Sequence, residues 1–163
     1  MREFYYNIQF KDDGSILTRV NNIAISLDEG VLSKILRVPR EGTGSVLGRT
    51  CSSEFAAVIS KTPTTKVAGI YKKIMKIEYQ LVFEFINKAL LPRTEKRTVA
   101  TAADLFVMEM LCNFEALNLP GLMLEHIHKT VIERKGVHGM GYGYFSRRYS
   151  SIFKFLSVWE KWG

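Results

Sequence analysis

The sequence predicts a mainly α fold: a single compact bundle of about five helices with a short N-terminal β-hairpin. Three observations carry this. Apolar residues recur at helical spacing over most of the chain, and one pair of β-prone runs is joined by Asn-Asn. A length of 163 residues, 47% of them hydrophobic and 24% charged, suits one globular domain. A chain this long buries roughly two-thirds of its unfolded surface, so its core needs neither metal nor disulfides.

The elements follow in order. Phe4 to Phe10 is aromatic-rich and fits a short strand or a helical turn. Lys11-Asp12-Asp13-Gly14-Ser15 is a turn signal. Ile16–Val20 and Ile23–Ile25 flank Asn21-Asn22, and Asn tolerates the positive φ of a tight hairpin. Ser26-Leu27-Asp28-Glu29 has the Ser-x-x-Glu form of a capping box. Val31, Leu32, Ile35 and Leu36 then repeat at helical spacing until Pro39 stops the helix. Residues 40–53 hold Gly42, Gly44 and Gly48 and read as a mobile loop, and a short helix is expected from Glu54 to Ser60. From Ile70 to Leu90, the residues Ile74, Ile77, Leu81, Phe85 and Ala89 form an apolar stripe, the face that such a helix turns to the core. Lys73, Lys76, Gln80, Glu84 and Lys88 form the opposite, polar stripe.

Pro92 ends that helix, and Arg93 to Thr98 is a basic connector. Thr101 with Asp104 three residues on marks the next helix, expected from Ala102 through Leu117. It is apolar nearly all round and belongs at the centre of the fold. Leu111→Ala within it is expected to cost about 2–5 kcal/mol. Asn118 caps a further helix with Pro120 near its first position and Leu124, Ile127 and Val131 as its buried stripe. Gly136 ends it. Four glycines between Gly136 and Gly143 make a turn, after which Phe145, Tyr149, Ile152, Phe153, Leu156 and Trp159 repeat at helical spacing.

Charge gives the first functional information. Lys plus Arg is 23 and Asp plus Glu is 16, a net charge of +7. A basic domain can meet nucleic acid, an anionic membrane or an acidic protein. No apolar stretch reaches the roughly 18 residues that a transmembrane helix needs, and no apolar leader follows Met1, so no membrane partner is expected. The two cysteines make no framework, which favours a reducing, intracellular compartment, with nucleus and cytoplasm both open. Cys112 lies in an apolar run and is expected to be a small core residue, and Cys51 is expected in a loop.

No constellation for catalysis, a cofactor or a metal stands out. Gly42 to Gly48 lacks the preceding strand, the spacing and the Lys of a phosphate loop. His126 and His128 are two apart, so they point in different directions around a helix and do not share one ion. Asp12-Asp13 fits a turn, and no serine or cysteine sits in a nucleophile motif. An enzyme would be indicated by Glu109, His126 and Cys112 converging on one cavity.

Basic runs remain. Five lysines between Glu54 and Glu78 stand without an acid, Arg93, Lys96 and Arg97 form a second cluster, and Arg147 and Arg148 a third. Tyrosines interleave with them. Lysine and arginine neutralise phosphates, and exposed aromatics stack on bases. The candidate nucleic-acid contacts are therefore Lys72, Lys73, Lys76, Arg93, Lys96, Arg97, Arg147 and Arg148. The same tyrosines also fit amphipathic spacing, so a solvated basic face over core aromatics is the favoured explanation of these residues. A single contiguous basic face would favour nucleic acid.

Arg2-Glu3-Phe4-Tyr5, the stretch Leu91 to Val131 with Asp104-Leu105-Phe106, Asn118-Leu119-Pro120 and His126-Ile127, and Gly141-Tyr142-Gly143-Tyr144-Phe145 resemble, in this order, the plant transposon protein domain, a plant retrotransposon-associated domain of unknown function. The stretch Ile23 to Pro39 is similar to the same domain and, more distantly, to the plant mobile domain. The resemblance implies a plant genome and descent from a mobile element; the family has no established activity and no functional residues to carry over. It implies a domain over 1–145 and a divergent C-terminal helical tail over 146–163, where Ser146-Arg147-Arg148 stands in place of an apolar continuation. Met1 directly before the first motif suggests a fragment of a longer reading frame. The expected function is a non-enzymatic interaction or assembly domain; the alternative is a nucleic-acid-binding domain acting through phosphate contacts. The partners open to such a domain are nucleic acid and another copy of the same chain.

Overall fold

The structure, a computed structural model, describes residues 2–93 and 97–132. Among them are helices α1 (Arg2–Tyr6), α2 (Glu29–Leu36), α3 (Ser53–Ile59), α4 (Ile77–Phe85), α5 (Ala102–Cys112) and α6 (Leu119–Ile132). The strands are β1 (Gln9–Phe10), β2 (Ile16–Val20), β3 (Ile23–Leu27), β4 (Ile70–Tyr71) and β5 (Val99–Ala100). A 3₁₀ turn spans Lys72–Ile74, and a π-helical segment, Ile86–Leu90, continues α4. The fold is thus mixed α/β with two small sheets, which corrects the expectation of a helical bundle with one hairpin. The reason is strand length. β1, β4 and β5 have two residues each, too few for a period-two pattern, and their partners alone define them.

The first sheet has the order β1-β2-β3, all antiparallel. Val20 pairs with Ile23 across Asn21 and Asn22, whose φ values of 50° and 63° are the ones a tight hairpin requires. The segment Phe4 to Phe10 divides between the end of α1 and β1, and Thr18 Oγ1 of β2 donates to the Phe4 carbonyl, which ties α1 to the sheet. Ser26 lies within β3 and caps nothing. The cap of α2 is Asp28, whose carboxylate accepts from the Val31 amide at 2.8 Å. The helix ends at Leu36, where Arg37 turns left-handed with φ 55°, before Pro39 is reached.

The largest departure concerns residues 70–90. One continuous helix does not form: residues 70–71 pair with β5, residues 72–74 turn, and α4 starts at Ile77. The face α4 turns inward carries Tyr79, Val82, Phe83 and, in the π segment, Ile86 and Leu90. Ile77, Leu81 and Phe85, expected to be buried, are 68%, 65% and 53% exposed. This helix has two apolar stripes, and its periodicity does not choose between them. Neighbours choose: Phe55 of α3 meets Tyr79 edge-on at 6.0 Å, and Phe83 lies fully buried in the same cluster as Leu105, Val107 and Met108 of α5.

α5 begins with the expected capping box, Thr101 and Asp104 bonding each other's backbone. It stops at Cys112, short of Leu117, because Asn113 leaves the helix and Phe114 turns left-handed into solvent. Leu105, Val107 and Met108 are fully buried, but Leu111 is only partly so, which places the deepest packing one turn earlier than Leu111. Asn118 caps α6 through its side-chain Oδ1, which accepts from the Gly121 amide at 3.1 Å.

Buried side chains form two clusters. One joins α3, β4, α4, β5 and α5; the other joins α1, β2, β3, α2 and α6. The π segment packs against both α5 and α6 and so links them. Nor is the glycine loop free. Thr43 exchanges backbone bonds with Ala116 and Asn118, and Glu125 of α6 accepts from Ser45 Oγ at 2.7 Å and the Val46 amide at 2.8 Å. Gly42 has φ 95°, and a Cβ there would collide with the Ala116 carbonyl, so this strap requires glycine. Lys96, the turn after Gly136, the helix expected from Phe145 and the tail 146–163 with Arg147 and Arg148 lie outside the described residues.

Candidate nucleic-acid interface

The two-stranded ribbon brings together basic runs that are separate in sequence. Tyr71 pairs with Val99, and the Lys72 amide donates to the Thr98 carbonyl at 2.8 Å, so Lys72 and Lys73 come beside Arg97. A second pairing adds another chain segment: Ser60 bridges Met75, and the Lys61 amide donates to the Ile74 carbonyl at 2.8 Å. Lys61 Nζ then reaches the Lys73 carbonyl at 3.0 Å, and the Lys76 amide bonds the Ile59 carbonyl. Lys61, Lys72, Lys73, Lys76, Arg93 and Arg97 therefore lie on adjoining segments. The exposed ring of Tyr71 sits among them with the Lys73 ammonium 5.7 Å from its centroid.

These cations are not equivalent. Arg93 is tied inward: it forms an ion pair with Asp104 at 2.6 Å, donates to the Val99 carbonyl at 2.7 Å and stacks 6.0 Å from the Phe83 ring. It fastens the chain after α4 to the start of α5, which makes it structural rather than a contact. Lys72 is ion-paired with Glu84, which Lys88 also approaches at 3.2 Å. The hydrogen bond from Lys72, then that from Lys88, hold the Glu84 carboxyl below the ordinary range. Arg97 donates through Nε to the Arg93 carbonyl and is exposed. Among the described residues, Lys61, Lys73, Lys76 and Arg97 form no salt bridge and present their charge to solvent.

Of the eight residues expected from sequence, Lys72, Lys73, Lys76, Arg93 and Arg97 are thus brought together; two of the five are engaged by carboxylates. Lys61 is missing from that set. Its run of lysines is visible in the sequence, but only the Ser60–Met75 bridge shows that it joins the ribbon.

Other candidate groups fall elsewhere. Glu109 accepts from the backbone amide and hydroxyl of Ser52 and so anchors the start of α3. Cys51, expected in an open loop, is buried, and its thiol is pushed up by burial and by Glu109. Cys112 is less buried than Cys51, and burial raises its thiol too. His128 lies edge-on to Phe10 at 4.3 Å. Burial first, then the charges of Lys129 and Arg93, push His126 down to about 4. Among the described residues no group of three or more His, Cys, Asp or Glu is arranged to hold a metal ion, and no helix is long and apolar enough to cross a membrane.

Comparison with protein-family models, with characterised proteins and with solved structures finds no match for this chain.

Proposed function

We infer that this chain is a non-enzymatic interaction domain, of plant transposon descent, that binds nucleic acid through phosphate contacts. The descent rests on the ordered motifs from Arg2 to Phe145. The binding rests on one observation: the β4–β5 ribbon and the Ser60–Met75 bridge bring the segments that carry Lys61, Lys73, Lys76 and Arg97 side by side, each of these residues exposed and without a carboxylate partner among the described residues. A solvated basic face would tolerate scatter; this clustering favours an anionic polymer. Contacts to phosphates carry no sequence information, so binding is expected to be sequence-tolerant.

Fluorescence anisotropy with labelled DNA and RNA, single- and double-stranded, tests this at about 50 mM and about 200 mM salt. Four phosphate contacts predict a slope of log K against log salt near −3.6 on duplex DNA, and each Lys→Ala or Arg→Ala change should flatten it by about 0.9. No binding at the lower salt, or a slope that the combined Lys61→Ala, Lys73→Ala and Arg97→Ala variant leaves unchanged, would overturn the reading.

A further inference from the structure

Tyr71 differs from the other described tyrosines in its place. Tyr5 is buried in the cluster of α1, β2 and α6, Tyr79 packs edge-on against Phe55, and Tyr6 belongs to α1, which packs on β2. Among the described tyrosines, Tyr71 alone stands on the ribbon that joins the basic segments. Backbone alternation accounts for its exposure. Ile70 and its partner Ala100 are buried, so the next residue along β4 turns the other way, and Tyr71 is 53% exposed. The 3₁₀ turn Lys72–Ile74 follows at once and sets the Lys73 ammonium over the ring, 5.7 Å from its centroid. At that distance a cation is drawn to the π face. Lys61 Nζ donates to the Lys73 carbonyl at 3.0 Å, and the Lys72 amide is tied to the Thr98 carbonyl beside Arg97. Of these four cations Lys72 is held by Glu84, while Lys61, Lys73 and Arg97 form no salt bridge among the described residues.

We propose that Tyr71 is a stacking platform for an unpaired base, and that the ligand of this surface is single-stranded nucleic acid. The inference rests on the phosphate-contact reading above and adds the substrate class to it. Phosphates are offered by duplex and single strand alike. The face of a base is offered only where bases are unpaired, because in a duplex the neighbouring pairs already cover it. An exposed ring with an ammonium at its face therefore suits a nucleotide from a single strand: Tyr71 takes the base and Lys73 the adjoining phosphate. Every base has a π face, so the site stays sequence-tolerant.

Fluorescence anisotropy with a labelled oligothymidylate and with a duplex of equal length tests this. At about 200 mM salt, where phosphate contacts are weakened and stacking is not, the unaltered protein should hold the single strand more tightly than the duplex. Tyr71→Leu should weaken single-strand binding by about 5- to 150-fold, the loss of one stacked base, and keep the salt slope, since no charge is removed. Tyr71→Thr, a second ringless variant and a good strand former, should repeat that loss, and Tyr71→Phe, which keeps the ring, should restore binding. Lys73→Ala should instead flatten the single-strand slope by about 0.7. The proposal fails if both ringless variants bind the single strand as tightly as the unaltered protein, or if they lose single-strand and duplex affinity in equal measure. In either case a slope that Lys73→Ala still flattens leaves the phosphate reading standing. No binding of either probe at about 50 mM salt would remove both readings.

Discussion

Arg93→Ala should be among the most damaging single changes in this protein. Asp104 is 2% exposed, and the Arg93 side chain beside it is 21% exposed. Removing one partner of a buried ion pair costs about 3–5 kcal/mol, because the other charge stays behind without compensation. Asp104 would keep two donors, the amide and hydroxyl of Thr101 at 2.7 and 2.8 Å. That retained solvation puts the expected loss at the lower end, about 3 kcal/mol. For a chain of this size the loss lowers the melting temperature by about 6–12 °C. Urea titration followed by circular dichroism measures it, and thermal melts give the second reading. Arg93→Met combined with Asp104→Asn should be less damaging than Arg93→Ala alone, since no charge is then left buried and an amide oxygen still accepts from Thr101. A loss for Arg93→Ala below about 1 kcal/mol, the range of exposed pairs, would refute the claim that this arginine is a structural tie. The variant also separates the two roles of the basic cluster: below its melting temperature, the salt slope of nucleic-acid binding should stay at the wild-type value.

Three further outcomes are expected. Leu105→Ala, at a fully buried site, should cost about 2–5 kcal/mol, and Leu111→Ala, only partly buried, should cost distinctly less; denaturant titration ranks the two. Asp28→Ala should cost about 1 kcal/mol, the usual loss of a helix cap, whereas Ser26→Ala should be close to neutral; reversed values would move the start of α2. The third concerns pH. His126 is held neutral in the fold with its pKa near 4, below its ordinary value of 6.5, so the unfolded chain takes up the proton first as pH falls. Stability should therefore decline from about pH 6.5 down to about 4, with a slope of at most about 1.4 kcal/mol per pH unit from this group. Replacement by Gln should remove that part of the slope, and an unchanged profile would show that the histidine is open to solvent.

Local signals in the sequence were enough for the Asn21-Asn22 hairpin, the Thr101–Asp104 capping box, the Asn118 cap and the apolar character of α5. Each depends on residues within four positions of one another, where backbone preference and side-chain capping act regardless of the rest of the chain. The lysine and arginine runs were legible for the same reason. What local signals could not supply is the choice among partners. Ile70-Tyr71 and Val99-Ala100 are strands only because they lie opposite each other, and Lys61 belongs with Lys73 only because Ser60 meets Met75. Arg93 and Lys72 looked like free cations until the fold put Asp104 and Glu84 against them. Helix α4 states the matter most plainly. Its sequence offers two apolar stripes of the same period, and the packing of Phe55 on Tyr79 and of Phe83 into the α5 cluster turns one of them inward and leaves Ile77, Leu81 and Phe85 outside. Periodicity reports that a helix has apolar faces; which face is removed from water depends on the surfaces available to bury it, and those are set by residues far away in the chain.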